Sequence, residues 1–306
     1  MLATLGENIG FVEHRQQDFP GVESIVSASL QPILALLGYP VAGNPLQYMI
    51  EKALAQRELD WRYLSLEVAP ENLADAVRGM KAMGFSGGNC THPHESAVGP
   101  LFDRVGPIAE LSGVVNCFHT ENGDLIGENT VGSAVAESIR LRIDPEGKQV
   151  VLFGSGGWAR AVAIELAMAK VAGLTLVDTE EESARELIRL LAERLQYEAA
   201  FASWEEHFAL AAETEVVING TTTGAGETAP EFPLELASLT PEILVVDRLL
   251  SPPETWLLRE AEARGCATID GLEIFIAQVA IDFRLWTGVA PDTSVLREAV
   301  EEYLEL

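Results

Sequence analysis

The chain carries one spacing with clear chemical meaning, Gly154-Ser155-Gly156-Gly157-Trp158-Ala159, a G-x-G-x-x-A run. It follows the apolar stretch Gln149–Phe153 and opens a segment of helical pattern, residues 158–169. In that setting the first glycine permits a tight turn and the second lets backbone N–H groups approach a pyrophosphate. The small Ala159 lets the helix close onto the strand. The helix N-terminus adds oriented donors and a partial positive charge. The predicted ligand is a dinucleotide cradled by Gly154, Ser155, Gly156 and Gly157; a tight βα turn without a ligand is the competing reading. The next predicted strand, residues 174–177, runs into Asp178, 24 residues after Gly154. A carboxylate there accepts hydrogen bonds from the adenosine ribose and repels a 2′-phosphate. The stretch Val177-Asp178-Thr179-Glu180-Glu181 holds no Arg or Lys to bind such a phosphate. NAD is the expected cofactor and NADP the alternative, while a helix N-cap would explain the same acid. Farther on, Val216-Val217-Ile218-Asn219-Gly220-Thr221-Thr222-Thr223-Gly224 reads as a strand end entering a polar loop. In an open parallel sheet such loops face the ligand crevice. This would place Asn219 and Thr221 beside the nicotinamide ribose, although Asn-Gly is also a generic turn.

These groups need a scaffold, and the pattern supplies one. Ile33-Leu34-Ala35-Leu36-Leu37-Gly38 is a short apolar run closed by glycine, the mark of a buried strand. Residues 45–55 and 72–83 read as helices, the second ended by Gly84; residues 61–66 and short segments around Asn89–Thr91 and Val114–Phe118 read as strands. Asn122-Gly123 signals a hairpin turn. The alternation repeats more clearly later, with helix 182–195, strands 216–218 and 244–246, and a long helix over 271–286. Strands alternating with helices predict an α/β protein with parallel sheet and helices on both faces. Residues 1–31 carry no motif and read as an N-terminal extension.

Composition bounds the function. At 306 residues the chain is long enough for two domains with real cores. No apolar run is long enough to span a bilayer, and no basic start precedes an apolar stretch. Forty-seven acids against 20 bases give a formal charge of −27, which excludes nucleic acid and anionic membrane as expected partners. Only 4 of those 20 bases are Lys, which suggests a salt-rich cytoplasm, though a merely acidic enzyme reads the same way. Three scattered cysteines form no CxxC and fit a reducing, cytoplasmic setting.

Taken in order, the motifs resemble the shikimate/quinate dehydrogenase family over roughly residues 33–288. Gly38-Tyr39-Pro40-Val41 is similar to its Gly-x-Pro-Ile opening. Gly87-Gly88-Asn89-Cys90-Thr91-His92-Pro93-His94-Glu95 is similar to G-x-N-V-T-x-P-x-K. Gly113–Cys117 looks like G-A-V-N-T, Gly127–Val131 like G-x-N-T-D, Asn219–Gly224 like N-A-T-x-x-G, and Asp247–Leu257 like D-x-x-Y-x-P-x-x-T-x-L. Gly271–Gly288 resembles the closing G-x-x-M-L-V-x-Q-x-x-x-x-F-x-x-W-T-G. The resemblance implies an α/β enzyme of two domains: a substrate-binding domain over 32–135, completed by 272–306, and a Rossmann dinucleotide-binding domain over 136–271. It implies hydride transfer between a nicotinamide and a ring hydroxyl of shikimate or quinate, in aromatic amino-acid biosynthesis. It also implies substrate contacts from Thr91, Asn116, Asn129 and Gln278, and a cofactor contact at Gly271. A small-molecule substrate and a monomer or homodimer are the expected partners.

Several positions depart from the family pattern, all on substrate chemistry. The Lys that acts in proton transfer is matched by Glu95, and its paired Asp by Val131. The Ser-x-Ser that holds the substrate carboxylate is missing between Pro40 and Pro45, and the Tyr near that carboxylate is matched by Leu250. A valine relays no proton. The candidates to take over are Glu95, if burial raises its pKa, and His94 or His92, histidine being the residue type commonly used in proton transfer. Loop packing is the plain reading of both histidines. A metal at His92-x-His94-Glu95 is not expected, because no distant third ligand is evident. The lost cation and hydroxyls favour a neutral or less anionic polyol-like substrate. A non-catalytic dinucleotide- or ligand-binding relative is the alternative from another class. Trp286 is expected to pack between the domains, and 298–306 to form a solvated helix face.

Overall fold

The computed structural model describes residues 30–204, 207–226, 232–250, 252 and 254–306. The extension expected over 1–31 therefore lies outside the described residues, apart from Leu30 and Gln31.

The first sheet is built from β1 (Ile33–Gly38), α1 (Leu46–Gln56), β2 (Arg62–Glu67), α2 (Leu73–Met83), β3 (Gly87–Cys90), β4 (Arg104–Val105), α3 (Pro107–Ser112), β5 (Cys117–Glu121) and β6 (Asp124–Glu128). Its strand order is β2-β1-β3-β5-β6-β4. β1 pairs in parallel with β2 and β3, but β5 runs antiparallel to both β3 and β6. The parallel pairing expected from the alternation holds for β1, β2 and β3, and the sheet becomes mixed at β5 and β6, where the sequence signals a hairpin. The reason is local: Asn122 and Gly123 both take positive φ, +55° and +88°, and so turn the chain straight back as a hairpin.

Helix α4 (Val131–Arg140) leads into the second sheet, which comprises β7 (Gln149–Phe153), α5 (Gly157–Met168), β8 (Gly173–Asp178), α6 (Glu181–Leu195), β9 (Ala200–Ser203), β10 (Val216–Asn219), β11 (Leu244–Asp247), α7 (Trp256–Glu262) and β12 (Ala267–Ile269). All its pairings are parallel, in the order β12-β11-β10-β7-β8-β9. Counted from β7 this is the doubly wound order 3-2-1-4-5-6, whose crevice opens between the first and fourth strands. The central strands β10 and β11 are buried along their whole length, their apolar runs ending in Asn219 and Asp247, which are buried with them.

The chain then returns to the first lobe through α8 (Gly271–Thr287) and α9 (Thr293–Leu304). Asp270 caps α8, its carboxylate accepting from the Glu273 N–H at 2.6 Å. Leu272, Ile276, Val279 and Phe283 of α8, with Leu296, Ala299 and Val300 of α9, join the core formed by β1, α1 and Tyr63. The tail is thus half core, half solvated face. Trp286 packs inside this lobe rather than between lobes, because its indole N–H donates to the Phe118 carbonyl at 2.9 Å and its ring lies against Tyr63.

Candidate functional site

The phosphate-loop motif sits at the crevice of the second sheet. Gly154 follows β7 with φ +100°, where a Cβ would be strained and would meet the Thr221 methyl at 3.0 Å. Gly156 is the N-cap of α5, no side chain caps that end, and open space lies where a Cβ would stand. The first N–H groups of α5 are therefore offered to a ligand, and the turn fits a pyrophosphate. Ser155 is buried and its hydroxyl lies 2.7 Å from Asp178 Oδ2 and 2.8 Å from Ser183 Oγ. Asp178 Oδ1 accepts from the Glu180 N–H at 3.1 Å. The loop and the acid at the end of β8 are thus held as one unit.

Asn219 and Thr221 have another use for their side chains. Asn219 Oδ1 accepts from the Thr221 N–H and hydroxyl at 3.0 and 2.7 Å, and its Nδ2 donates to the Thr223 carbonyl and Asp247 Oδ1 at 3.1 and 3.0 Å. They brace the loop after β10 and are not among the groups lining the cleft. Gly271 opens α8 against the backbone of Arg248 and Leu249, too close for any Cβ.

A cleft of about 340 Å³ lies where the first lobe faces α5. Thr91, Asn116, Asn129 and Gln278 all line it, as does Glu95. Val131, the first residue of α4, lies beside them. The two asparagines are fixed from behind. Asn116 accepts from the Thr130 N–H and donates to its hydroxyl, both at 2.8 Å, and Asn129 donates to the Val114 carbonyl at 3.0 Å. His94 is not brought to the site: it is buried, and its Nε2–H donates to the Val68 carbonyl at 2.7 Å. The exposed His92 lines the cleft instead. Among the described residues no group of three His, Cys, Asp or Glu side chains is arranged to hold a metal ion.

Glu95 is more than half buried from solvent, and burial pushes its carboxyl above the usual range, against the pull of His92, Arg248 and His94. A carboxylate raised in this way is a stronger proton acceptor than an exposed one.

Two residues at the site escaped the sequence reading. Arg248, just past the end of β11, lines the cleft and lies over the Trp158 ring, 5.2 Å from its centroid. Desolvation lowers its affinity for its proton, against Glu95 and Asp247. Its signal was a lone cation directly after a buried strand, at the sheet end where ligands bind. Asp282 is fully buried on α8, accepting from Thr130 Oγ1 at 2.6 Å and Asn89 Nδ2 at 2.7 Å. Burial pushes its pKa from 3.8 to about 6 despite those donors and others from Cys117 and Gln278. Its signal was an acid one helical turn after Gln278 on an otherwise apolar face.

The doubly wound sheet with its glycine turn, set against a second α/β lobe across a polar cleft, defines a two-lobed dinucleotide-binding protein. Comparisons narrow this. Residues 36–118 match the shikimate dehydrogenase substrate binding domain. The shikimate dehydrogenase (NADP(+)) of Moorella thermoacetica is 38% identical over 278 residues, covering 88% of this chain and 93% of that protein. The ligand-free 5-ketofructose reductase of Gluconobacter sp. strain CHM43 superposes with TM-score 0.86 at 37% identity, over 89% of this chain and 98% of that one. A shikimate dehydrogenase in complex with NADP+ gives TM-score 0.82 at 31% identity, over 89% and 95%. The chain belongs to the shikimate dehydrogenase family of oxidoreductases.

Proposed function

We propose that the protein is a nicotinamide-dependent oxidoreductase interconverting a ring hydroxyl and a ketone on a polyhydroxylated substrate less anionic than shikimate. The observation that carries this is Glu95, lining a cleft that no lysine lines. In this reading Glu95 stands where the family's proton-transferring Lys stands, and Val131 where its Asp stands. Glu95 and the missing carboxylate-binding hydroxyls disfavour an anionic ring, and Thr91, Asn116, Asn129 and Gln278 suit neutral hydroxyls. The likeness to a 5-ketofructose reductase, which by its name acts on a neutral keto-sugar, supports the same substrate class. The substrate lobe is 32–135 with 272–306, and the nucleotide lobe is 136–271.

The residues of the glycine turn would hold the cofactor's pyrophosphate, and Asp178 its adenosine ribose, which favours NAD over NADP. When bound, the nicotinamide supplies or accepts the hydride. In the oxidation direction Glu95 takes the hydroxyl proton as the carbinol carbon loses its hydride, leaving a ketone and a protonated Glu95. Thr91, Asn116, Asn129 and Gln278 orient the ring through neutral hydrogen bonds. His94 serves by holding the loop that presents Glu95. The protein works in the cytoplasm, its three buried cysteines reduced.

The test is reduction of 5-ketofructose and of dehydroshikimate with NADH or NADPH, followed by loss of reduced-nicotinamide absorbance. Turnover of the keto-sugar, abolished in Glu95→Gln, supports the proposal. A second reading, a non-catalytic relative that binds a dinucleotide or small ligand, draws on Trp158, which narrows the cleft at the first turn of α5. Dinucleotide binding by calorimetry with no turnover of any probe would favour it.

A further inference from the structure

Arg248 is the cleft side chain that neither the cofactor loop nor the neutral hydrogen-bonding groups account for. It enters from the nucleotide lobe, while Glu95 enters from the other. A guanidinium carries five N–H donors in a flat fork. Among the described residues one hydrogen bond from that fork is made, Nη1 donating to the Gly220 carbonyl at 3.3 Å. Asp247, its chain neighbour, is spent elsewhere: Oδ1 accepts from Asn219 and the Leu249 N–H, and Oδ2 accepts from Thr255 at 2.8 Å. Arg248 enters none of the ion pairs found among the described residues, although it is largely removed from water. Its Cζ lies over the Trp158 ring, 5.2 Å from the centroid, a cation–π contact that holds the side chain at the cleft. A largely desolvated guanidinium with no ion pair among the described residues is costly in a cleft unless a ligand brings oxygen acceptors to it.

We propose that Arg248 is a substrate-binding residue that grips two adjacent oxygens, the reacting one and its neighbour, so that the cleft selects α-hydroxy ketones and the vicinal diols they form. This rests on the oxidoreductase reading above. The fork geometry matches paired oxygens, which a lysine's point charge does not. As the alcohol's proton passes to Glu95 and its hydride leaves the carbon, negative charge grows on the oxygen that Arg248 holds. Arg248 keeps all its protons throughout. The cleft thus holds one anion and one cation, with the anion beside the proton and the cation on the oxygens.

The experiment compares full-length wild type, Arg248→Met and Arg248→Lys in the 5-ketofructose assay with NADH, with calorimetric binding of NADH and of the keto-sugar run separately. Arg248→Met should lose about 100-fold in kcat/KM, largely in kcat, as removal of an oxyanion donor does. Arg248→Lys should recover only part of this, and NADH affinity should be unchanged. The alkaline limb of the pH profile, where Glu95 loses the proton it must give to the ketone, gives a readout that a structural role would not move. Glu95 is faced by His92, His94 and Cys90 on its own segment and by Arg248 from the loop after β11, and Arg248 by Glu95 and Asp247. Removing Arg248 takes away one of the cations that lower Glu95, so the limb should move to higher pH. Wild-type kcat/KM with an unmoved limb overturns the proposal, as does a loss confined to NADH affinity. If wild type reduces no ketone, the oxidoreductase reading falls while the binding arm still decides. Keto-sugar binding lost in Arg248→Met sustains the role of Arg248; binding that is unaltered, or absent in wild type, overturns it.

Discussion

Replacing Asp282 by asparagine should reshape the pH dependence of stability rather than simply lower it. The carboxyl is fully buried, and its pKa in the fold is about 6 against an ordinary 3.8. At about 1.4 kcal/mol per pH unit this corresponds to about 3 kcal/mol. The folded state binds this proton more tightly than the unfolded state does. The contribution is therefore complete below about pH 4 and is lost as pH rises through about 6. An amide in its place never ionises, so this step vanishes in the variant. The substitution has its own cost, because an amide N–H2 then faces a donor. Asn89 cannot turn its amide to accept, since its Oδ1 already accepts from the Tyr63 hydroxyl at 2.7 Å and its Nδ2 also donates to the Asn116 carbonyl at 3.2 Å. That mismatch costs about 1–3 kcal/mol. Urea unfolding of both proteins should show the variant less stable in acid by that amount, and level with wild type or more stable by up to about 2 kcal/mol near neutrality. Comparing the two cancels the many surface carboxylates they share. A stability difference that stays constant from about pH 4 to about pH 7 would refute the reasoning.

Other outcomes follow from the same geometry. Asp178→Ser should shift the ratio of NAD to NADP affinity toward NADP by about tenfold, because it removes a charged acceptor for the ribose and the repulsion of a 2′-phosphate; calorimetry with both dinucleotides reads it. Gly154→Ala should cost about 1–2 kcal/mol in unfolding free energy, since alanine is strained at φ +100° and its methyl meets Thr221. It should also weaken NAD binding, by opening the turn that offers the α5 donors.

Much of this fold was legible in the chain because its segments are locally consistent. QVVLF followed by glycines and a helix admits few folds, and Gly84 at φ +74° ends α2 where the pattern stops. The mixed first sheet was less legible, since strand direction depends on which distant segment pairs with which, and only Asn122-Gly123 announced the reversal. At the site, the family resemblance pointed to Thr91, Glu95, Asn116, Asn129 and Gln278, which the fold does gather. Orientation was not legible. His94 and Glu95 are neighbours, yet the first turns back to the Val68 carbonyl and the second reaches the cleft. Arg248 and Asp282 act across lobes or across more than a hundred residues of chain, contacts that no local pattern encodes.

The most direct test of the central claim is the ratio of kcat/KM for 5-ketofructose to that for dehydroshikimate, in the unaltered chain and in a Glu95→Lys, Val131→Asp double variant. The unaltered chain should favour the neutral ketone, and the double variant should move the preference toward the anionic ring. Efficient reduction of dehydroshikimate by the unaltered chain, with no gain in the double variant, would contradict the account.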